Sequence, residues 1–509
     1  MTLTATTLPG LDPLLQSGVI AVVRVSEAVR LGTAARALAA GGVTAVEVTL
    51  TTPGAIETIA DLASDPGLAG CVIGAGTVLD ESAARYVIDA GARFVVSPTL
   101  NPAVIRACRD RGIPCMPGAF TPTELLEGWR AGAPVMKLFP ASAVGPGYIR
   151  DVLAPLPFLR LVPSGGVSLE NAGEWIRAGV KRVVTFGELL LRLSPPGEEH
   201  LFESSDLVTY FGGAEANVAV ALSHFGVRCD YVTRAPDNPI GDAGVAALAR
   251  EGVGMEWIVR GGERLGIYFV EPGADLRAMR VVYDRAGSAF ARIEPRAVDW
   301  PRVLAGADWF HSSGITPALG DGPAAALAGA ITCARAQGTP VSFDLNYREA
   351  LWRDRDPRPL VEPLARQATV LIANPTAVRA MLGIDADDDS LASPGPARDL
   401  AKRVADRCGV ERVTLTRREI LGPRRHGWSA VLYDRDTGSF AQSRRHCVEV
   451  VDRVGGGDSF AAALIARLVG GDAPADALEF AVAASALKLT VPGDFSRSSV
   501  RDVQALLRA

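Results

Sequence analysis

Two short stretches of this 509-residue chain carry polar groups out of keeping with their surroundings. In "VMKLFPA" (135–141), Lys137 lies between Met136 and Leu138. Burial disfavours the charged form of an amine, lowers its pKa and leaves a nucleophile able to form an imine with a ketone. Glu47 interrupts the apolar run "AVEVTL" (45–50) and is suited to moving protons for such an imine. Spacing alone leaves the alternative open that Lys137 snorkels out to solvent and Glu47 is its structural partner. In "VVDRVGGGDSFAAALIARLVGG" (450–471), a strand runs into three glycines, then Asp458, then an amphipathic helix. Glycines at a helix start leave backbone N–H groups bare, an arrangement that holds a transferring phosphoryl group. A carboxylate just after them sits where a base for an attacking hydroxyl is needed. Taken alone, a glycine turn with an Asp at a helix start is also ordinary structure.

Two further stretches ask for a joint explanation. "YFGGAEANVAVALSHFG" (210–226) is a Gly-Gly turn entering an Ala-rich helix, and "VSFDLNYREALW" (341–352) is an apolar strand running into Asp344, Asn346 and Arg348. A hairpin is expected from "GIYFVE" (266–271), a "PGAD" turn and "RVVYDRA" (280–286). Period two places Val281, Tyr283 and Arg285 on one face of its second strand. A phenol beside a guanidinium suits a hydroxylated carboxylate, which Arg binds bidentately. A solvated edge strand with an incidental Arg is the competing reading.

Elements of two kinds must position these groups. From Gly18 to Val180, apolar strands alternate with amphipathic helices: 19–25, 45–50, 72–78, 94–98, 115–120, 135–141 and 159–166. Near-continuous apolar runs fit strands buried on both faces, and seven successive βα units predict a (β/α) TIM-type barrel. The next strand, "RVVTF" (182–186), either closes that barrel or opens a second unit.

Bulk properties set outer limits. The chain is 48% hydrophobic and 21% charged, with net charge −5, which offers no basic footprint for nucleic acid or an anionic membrane. Seven cysteines without C-x-x-C spacing and five histidines without H-E-x-x-H argue for reduced thiols in a cytoplasm and against a structural metal. No G-x-x-x-x-G-K-[ST] occurs, excluding a P-loop enzyme. The start, "MTLTATTLPGLDPLLQSG", has neither a charged n-region nor a long apolar run, so no signal peptide or membrane span is expected there.

Residues 18–180 resemble the class I aldolases that cleave 2-keto-3-deoxy-6-phosphogluconate (KDPG), through "AVEVTLTTPGA", "IGAGTVLD", "VSPTLNPAVI", "PGAFTPTE", "KLFPAS" and "PSGG". The resemblance implies Lys137 as the Schiff-base lysine with no organic cofactor and Glu47 as general acid/base. It also implies Thr77 as a keto-acid contact, with Arg24 and the Gly165–Gly166 turn holding phosphate. Two departures are Thr51, where some members have Arg, and Ser164, where Thr is common. Family members also continue into an eighth strand, a second phosphate loop and a last helix.

Residues 181–509 resemble the ribokinase-like (PfkB-type) carbohydrate kinases, and among them 2-keto-3-deoxygluconate kinases. The cues are "VVTFGELLLRLSPPG", "GGAEANVAVAL", "VYDRAGSA", "FDLNYREALW", "HGWSAVLYD", "VDRVGGGDSF" and "FAVAASALKLTVPGDF". By that resemblance Asp458 is the catalytic base, and Gly455, Gly456 and Gly457 form the anion hole. Asp452 and Asn374 serve the ATP phosphates and the Mg²⁺ that accompanies them. Gly213, Asn217, Tyr268, Tyr283, Arg285, Asn346 and Arg348 contact the sugar acid. One departure is Ala377, where the family usually has an acidic residue that acts through water on Mg²⁺.

The expected whole is α/β: a TIM-type barrel lacking its eighth unit (1–180), then a ribokinase-like α/β sandwich with a small β lid (181–509). "RVVTFGELLLRLSPPG" continues into the kinase pattern, so the kinase is expected to keep the strand. The barrel is then left open and its cleavage activity compromised unless another segment or subunit covers the gap. The expected activities are ATP-dependent phosphorylation of 2-keto-3-deoxygluconate and cleavage of the product to pyruvate and glyceraldehyde 3-phosphate. A kinase for another sugar acid beside an inactive barrel remnant is the alternative. The expected protein is a cytoplasmic homo-oligomer acting on small molecules.

Overall fold

The structure, a computed structural model, describes residues 11–24, 31–273, 277–353, 355–422 and 424–508. Met1–Gly10, Val25 of the first strand run, and Ala274 and Asp275 of the "PGAD" turn lie outside the described residues. The chain forms two compact units, Met1–Gly179 and Val180–Ala509. Among the described residues no helix is long and apolar enough to cross a membrane.

In the first unit each of the seven expected runs contains strand: β1 (Ile20–Val23), β2 (Ala45–Thr49), β3 (Val72–Gly76), β4 (Val95–Val96), β5 (Cys115–Met116) with β6 (Gly118–Ala119), β7 (Met136–Leu138) and β8 (Leu161–Pro163). Helices between them start on side-chain caps such as Asp80, Asn101 and the Thr121–Glu124 capping box. The expectation of one barrel wall needs correction. The strands form a five-stranded parallel ladder, β1-β2-β3-β4-β5, and a three-stranded one, β6-β7-β8, which meet in the single extended run 115–119: its first half pairs with β4 and its second half with β7. Neither closes among the described residues. The break falls at Pro117, between β5 and β6, because proline has no N–H to donate to a ladder. Its carbonyl still accepts from the Lys137 N–H at 3.0 Å.

In the second unit the strands are β9 (Arg182–Phe186), β10 (Leu190–Ser194), β11 (Val208–Gly212), β12 (Arg228–Ala235), β13 (Ile258–Arg260), β14 (Gly266–Glu271), β15 (Arg280–Asp284), β16 (Trp309–Ser313), β17 (Val341–Asp344), β18 (Val370–Ala373), β19 (Arg412–Ile420), β20 (Arg425–Asp434), β21 (Phe440–Gln442) and β22 (His446–Glu449). A ten-stranded sheet runs β13-β12-β9-β16-β17-β18-β19-β20-β21, with β22 also on β20. The "RVVTF" strand, β9, lies inside that sheet, parallel to both β12 and β16. Successive side chains on β9 serve opposite cores: Val183 packs with Tyr231, Trp309 and Phe460, while Val184 packs with Phe310, Phe343 and Trp300. Such two-sided burial is why the run reads as continuously apolar.

A smaller sheet, β11-β10-β14-β15, forms the lid, and the expected hairpin is its β14–β15 pair with Tyr268 opposite Tyr283. The helices Ala214–His224, Gly456–Val469 and Pro474–Lys488 are Ala-rich and buried over most of their length. Small side chains let them pack closely, which fixes the start of Gly456–Val469 tightly against its neighbours.

Candidate active sites

The Gly-Gly-Gly-Asp turn opens into a cavity of about 320 Å³ between the long sheet and the lid. The three glycines differ in what requires them. Gly455 has φ +81°, and a Cβ there would fall 2.2 Å from the Asp494 carbonyl oxygen. A Cβ on Gly456 would press on Leu489 at 2.9 Å, whereas one on Gly457 would meet nothing within 4 Å. Gly457 therefore leaves the helix N-terminus bare on the cavity side, where its N–H groups and dipole favour an anion.

Asp458 is buried one position further on and accepts from the Asn217 side-chain N–H at 2.7 Å. Burial pushes its carboxyl up to about 6, opposed by the Asn217 hydrogen bond and the Arg348 charge. A base poised near neutrality is what proton removal from an alcohol requires. Burial likewise pushes Asp344 and Glu215 up to about 7. Both line the same cavity, and the buried Glu215 Oε1 and Asn217 Oδ1 have no hydrogen-bond partner among the described residues. Unpaired buried oxygens are costly, and a ligand rich in hydroxyl groups satisfies them.

The structure gathers Gly213, Asn217, Tyr268, Tyr283, Arg285, Asn346, Arg348, Asn374, Gly455, Gly457 and Asp458 on this one cavity wall. Arg285 is committed elsewhere in part: it is buried and ion-paired with Glu188, which also accepts from Ser288. Asp452 and Gly456 stand behind the wall; Asp452 pairs with Arg192 at 2.8 Å and accepts from the Val454 and Gly493 N–H groups. Sequence reasoning passed over Glu188, Glu215, Thr416, Arg418 and Arg453, which also line the cavity. Glu215 carried a usable signal, an acid inside an apolar helix, the same kind that marks Glu47. Thr416 and Arg418 on β19 carried none, since a polar strand residue reads as a solvated face.

In the first unit Glu47 and Lys137 are both buried, at 4% and 8% exposure. Burial raises the Glu47 carboxyl above its usual range, opposed by the charges of Lys137 and Arg24. Burial lowers the Lys137 ammonium, opposed by Glu47 and reinforced by Arg24. Lys137, Glu47 and the exposed Arg24 thus share one electrostatic neighbourhood, on β7, β2 and the end of β1. Room for Glu47 comes from Gly76 on β3, where a Cβ would overlap the carboxylate oxygen at 1.9 Å. The Lys137 Nζ lies 4.9 Å from the Phe139 ring centroid. Thr77 directly follows β3 at φ +62°, and Gly165 and Gly166 follow β8 at φ +83° and +85°.

A parallel α/β scaffold with a bare helix N-terminus, an adjacent acid and a β lid defines a phosphotransferase-type cavity, and the other unit carries a buried lysine–glutamate pair. The chain matches two families. Residues 180–499 match the pfkB family of carbohydrate kinases, and residues 12–194 match the KDPG and KHG aldolases. The chain is 35% identical over 333 residues to the 2-dehydro-3-deoxygalactonokinase of Haloferax volcanii, spanning 64% of this chain and 96% of that protein. It is 40% identical over 159 residues to the 2-dehydro-3-deoxy-phosphogluconate aldolase of Treponema pallidum, spanning 31% of this chain and 73% of that one. Among solved structures, the 2-dehydro-3-deoxygluconokinase of Thermotoga maritima superposes with TM-score 0.62 at 40% identity, over 65% of this chain and all of the other. The chain belongs to the pfkB family of carbohydrate kinases, with a member of the KDPG/KHG aldolase family fused ahead of it.

Proposed function

We propose that this chain phosphorylates 2-keto-3-deoxygluconate with ATP and cleaves the product to pyruvate and glyceraldehyde 3-phosphate, with domains at 1–180 and 181–509. The observation that carries the kinase half is the buried Asp458–Asn217 pair at the bare helix tip, in one cavity with Arg348. Asp458 takes the proton of the terminal hydroxyl as its oxygen attacks the γ-phosphorus and ADP leaves. The backbone N–H groups of Gly455 to Gly457 hold the charge that moves with the phosphoryl group. Arg348 meets the substrate carboxylate, and Glu215 and Asn217 accept from sugar hydroxyls.

Mg²⁺, when bound with ATP, would neutralise charge on the triphosphate and would need few protein ligands besides the phosphates. Asp344 offers a carboxylate on the cavity wall, whereas the Asn374 Oδ1 already accepts from the Ala377 N–H at 2.9 Å and the Thr416 hydroxyl donates to the Ala373 carbonyl at 3.3 Å. In the aldolase half the neutral Lys137 amine attacks the 2-keto carbon, water leaves, and the imine draws electrons from the breaking C3–C4 bond. Glu47 moves the accompanying protons. The protein is read as a cytoplasmic homo-oligomer.

One assay of the purified chain with ATP, Mg²⁺ and 2-keto-3-deoxygluconate, reading ADP and pyruvate separately, tests both halves. ADP without pyruvate leaves a kinase beside an inert aldolase segment, and neither product removes the proposal. A second reading, the C4 epimer 2-keto-3-deoxygalactonate, is favoured by the name of the Haloferax relative. The ratio of kcat/KM for the two epimers decides between them.

A further inference from the structure

Behind the anion hole lies a cluster of charges that takes no direct part in the reaction proposed above. Lys488, the last residue of the helix Pro474–Lys488, is fully buried at 0% exposure. Its Nζ donates to the Val491 carbonyl at 3.2 Å, and its Cε lies 3.2 Å from where a Cβ of Gly455 would be. Around it are Asp452, Asp494 and Arg192. Arg192, on lid strand β10, is 2.8 Å from Asp452 and 3.1 Å from Asp494, and Tyr268 of β14 also donates to Asp494.

A buried ammonium is expensive and persists where carboxylates and carbonyls hold it. Asp452 and Asp494 are the two carboxylates whose charges act most strongly on it. Burial lowers the Lys488 ammonium, opposed chiefly by the charges of Asp452 and Asp494, and burial raises the Asp494 carboxyl. With all four groups ionised, two carboxylates and two cations make the cluster neutral. Without Lys488 its charge would be −1, directly under a helix tip that has to attract the phosphoryl oxygens. The Asp494 carbonyl against Gly455, and the Asp452 carboxylate on the Val454 and Gly493 N–H groups, are the struts that set the tip's geometry. The loop that Lys488 fastens at Val491 is the same loop that carries Gly493 and Asp494.

We propose that Lys488 is a built-in cation for the anion hole: its ammonium neutralises the Asp452–Asp494 pair and fixes the 491–494 loop, so that phosphoryl transfer needs no added monovalent cation. Lys488 touches neither substrate nor nucleotide on this account and is a positioning residue. The inference rests on the kinase reading, because only that reading gives the helix tip an anion to hold.

The test compares wild type, Lys488→Met and the charge-balanced double variant Lys488→Met/Asp494→Asn. Each is assayed with Mg²⁺ in tetramethylammonium buffer, then with ammonium or potassium chloride added. Wild-type kcat is expected to change less than about twofold with added cation. Lys488→Met is expected to lose about 100-fold in kcat, with KM for the sugar acid changed less than about threefold, because a buried carboxylate is left uncompensated. Ammonium or potassium entering the vacated space restores about tenfold or more, and so does the Asp494→Asn partner change, a coupling that independent sites do not show. The thermal midpoint of Lys488→Met should also rise with ammonium while that of wild type does not.

Strong potassium activation of wild type overturns the inference, as does full activity of Lys488→Met or a folded variant that no cation rescues. If Lys488→Met does not fold, the wild-type cation response and the double variant decide. Absence of wild-type turnover under every condition defeats the kinase reading instead, and the thermal-midpoint comparison then judges the buried cation separately.

Discussion

The two units of this chain solve the same problem, holding a charged side chain in an apolar setting, with unequal completeness. In the kinase unit, Asp458 sits at a helix start braced on all sides, with Asn217 bonded to it and a lid sheet anchored behind it through Arg192 and Tyr268. In the aldolase unit, Lys137 on β7 and Glu47 on β2 are held by burial and by each other's charge. β9 belongs to the kinase unit. It is hydrogen-bonded between β12 and β16, so its backbone groups are satisfied in the kinase sheet. Among the described residues β1 and β8 each pair on one side only, leaving the edge that a closed barrel abolishes. Shared chain does not imply shared strands, and the unit that buries a strand on both faces retains it.

The sharpest way to break the comparison is to change Lys137, the proposed nucleophile of the aldolase unit. Lys137→Met fits the apolar neighbours Met136 and Leu138 and is expected to fold. Borohydride trapping with pyruvate should label wild type on Lys137 and leave the variant without label, while its kinase rate stays at the wild-type value. An unlabelled wild type would mean that the open sheet has cost the unit its chemistry. Pyruvate release at the rate of a closed-barrel aldolase would mean that the open edge costs nothing.

The complementary change, Asp458→Asn, keeps the shape and the Asn217 neighbour but removes the proposed base. About 10³-fold loss in kcat for ADP formation is expected, within the range that a positioned proton acceptor supplies. Trapping at Lys137 should be untouched. A loss confined to KM would instead make Asp458 a binding group.

Burial decides how much of the fold and of the two sites was legible in the sequence. The seven strand runs of the first unit, β9, and the β14–β15 hairpin could be read because each is apolar on the side or sides it buries. Lys137, Glu47 and Asp458 stood out because a charge in an apolar run is conspicuous. Pro117 was visible in "CMPGAF", but which neighbouring strand goes without its N–H is a tertiary fact. Arg285 fell on the expected face, yet its tie to Glu188 links residues 97 positions apart. Lys488 was unremarkable in "ALKLTVPGD" because a lysine at a helix end is ordinary. Its burial comes from elements distant in sequence.

A milder probe uses pH. The Asp458 carboxyl is raised to about 6, mainly by burial, and only its ionised form accepts the alcohol proton. For ADP formation kcat/KM should therefore be flat above about pH 7 and fall toward tenfold per unit well below pH 6. Lys137 must likewise be deprotonated to act: its ammonium is lowered by burial, and the neutral amine is the proposed nucleophile. Pyruvate imine formation should also weaken as pH falls, with a midpoint below that of an exposed lysine. A kinase profile without an acidic limb would remove Asp458 from the role of base.

The smallest expected effect separates the glycines themselves. A methyl at Gly457 meets no protein atom within 4 Å, and the residue lies inside a helix, so Gly457→Ala should keep or slightly raise the thermal midpoint. Its methyl would project beside the N–H groups that face the phosphoryl group, so kcat for ADP formation should fall a few-fold, roughly 1 kcal/mol of transition-state stabilisation. Gly455→Ala differs in kind, because φ +81° and the Asp494 carbonyl at 2.2 Å oppose any side chain and the tip itself must shift. Should Gly457→Ala leave kcat unchanged while Gly455→Ala only destabilises, the glycines serve packing alone, and the anion hole lies elsewhere on the cavity wall.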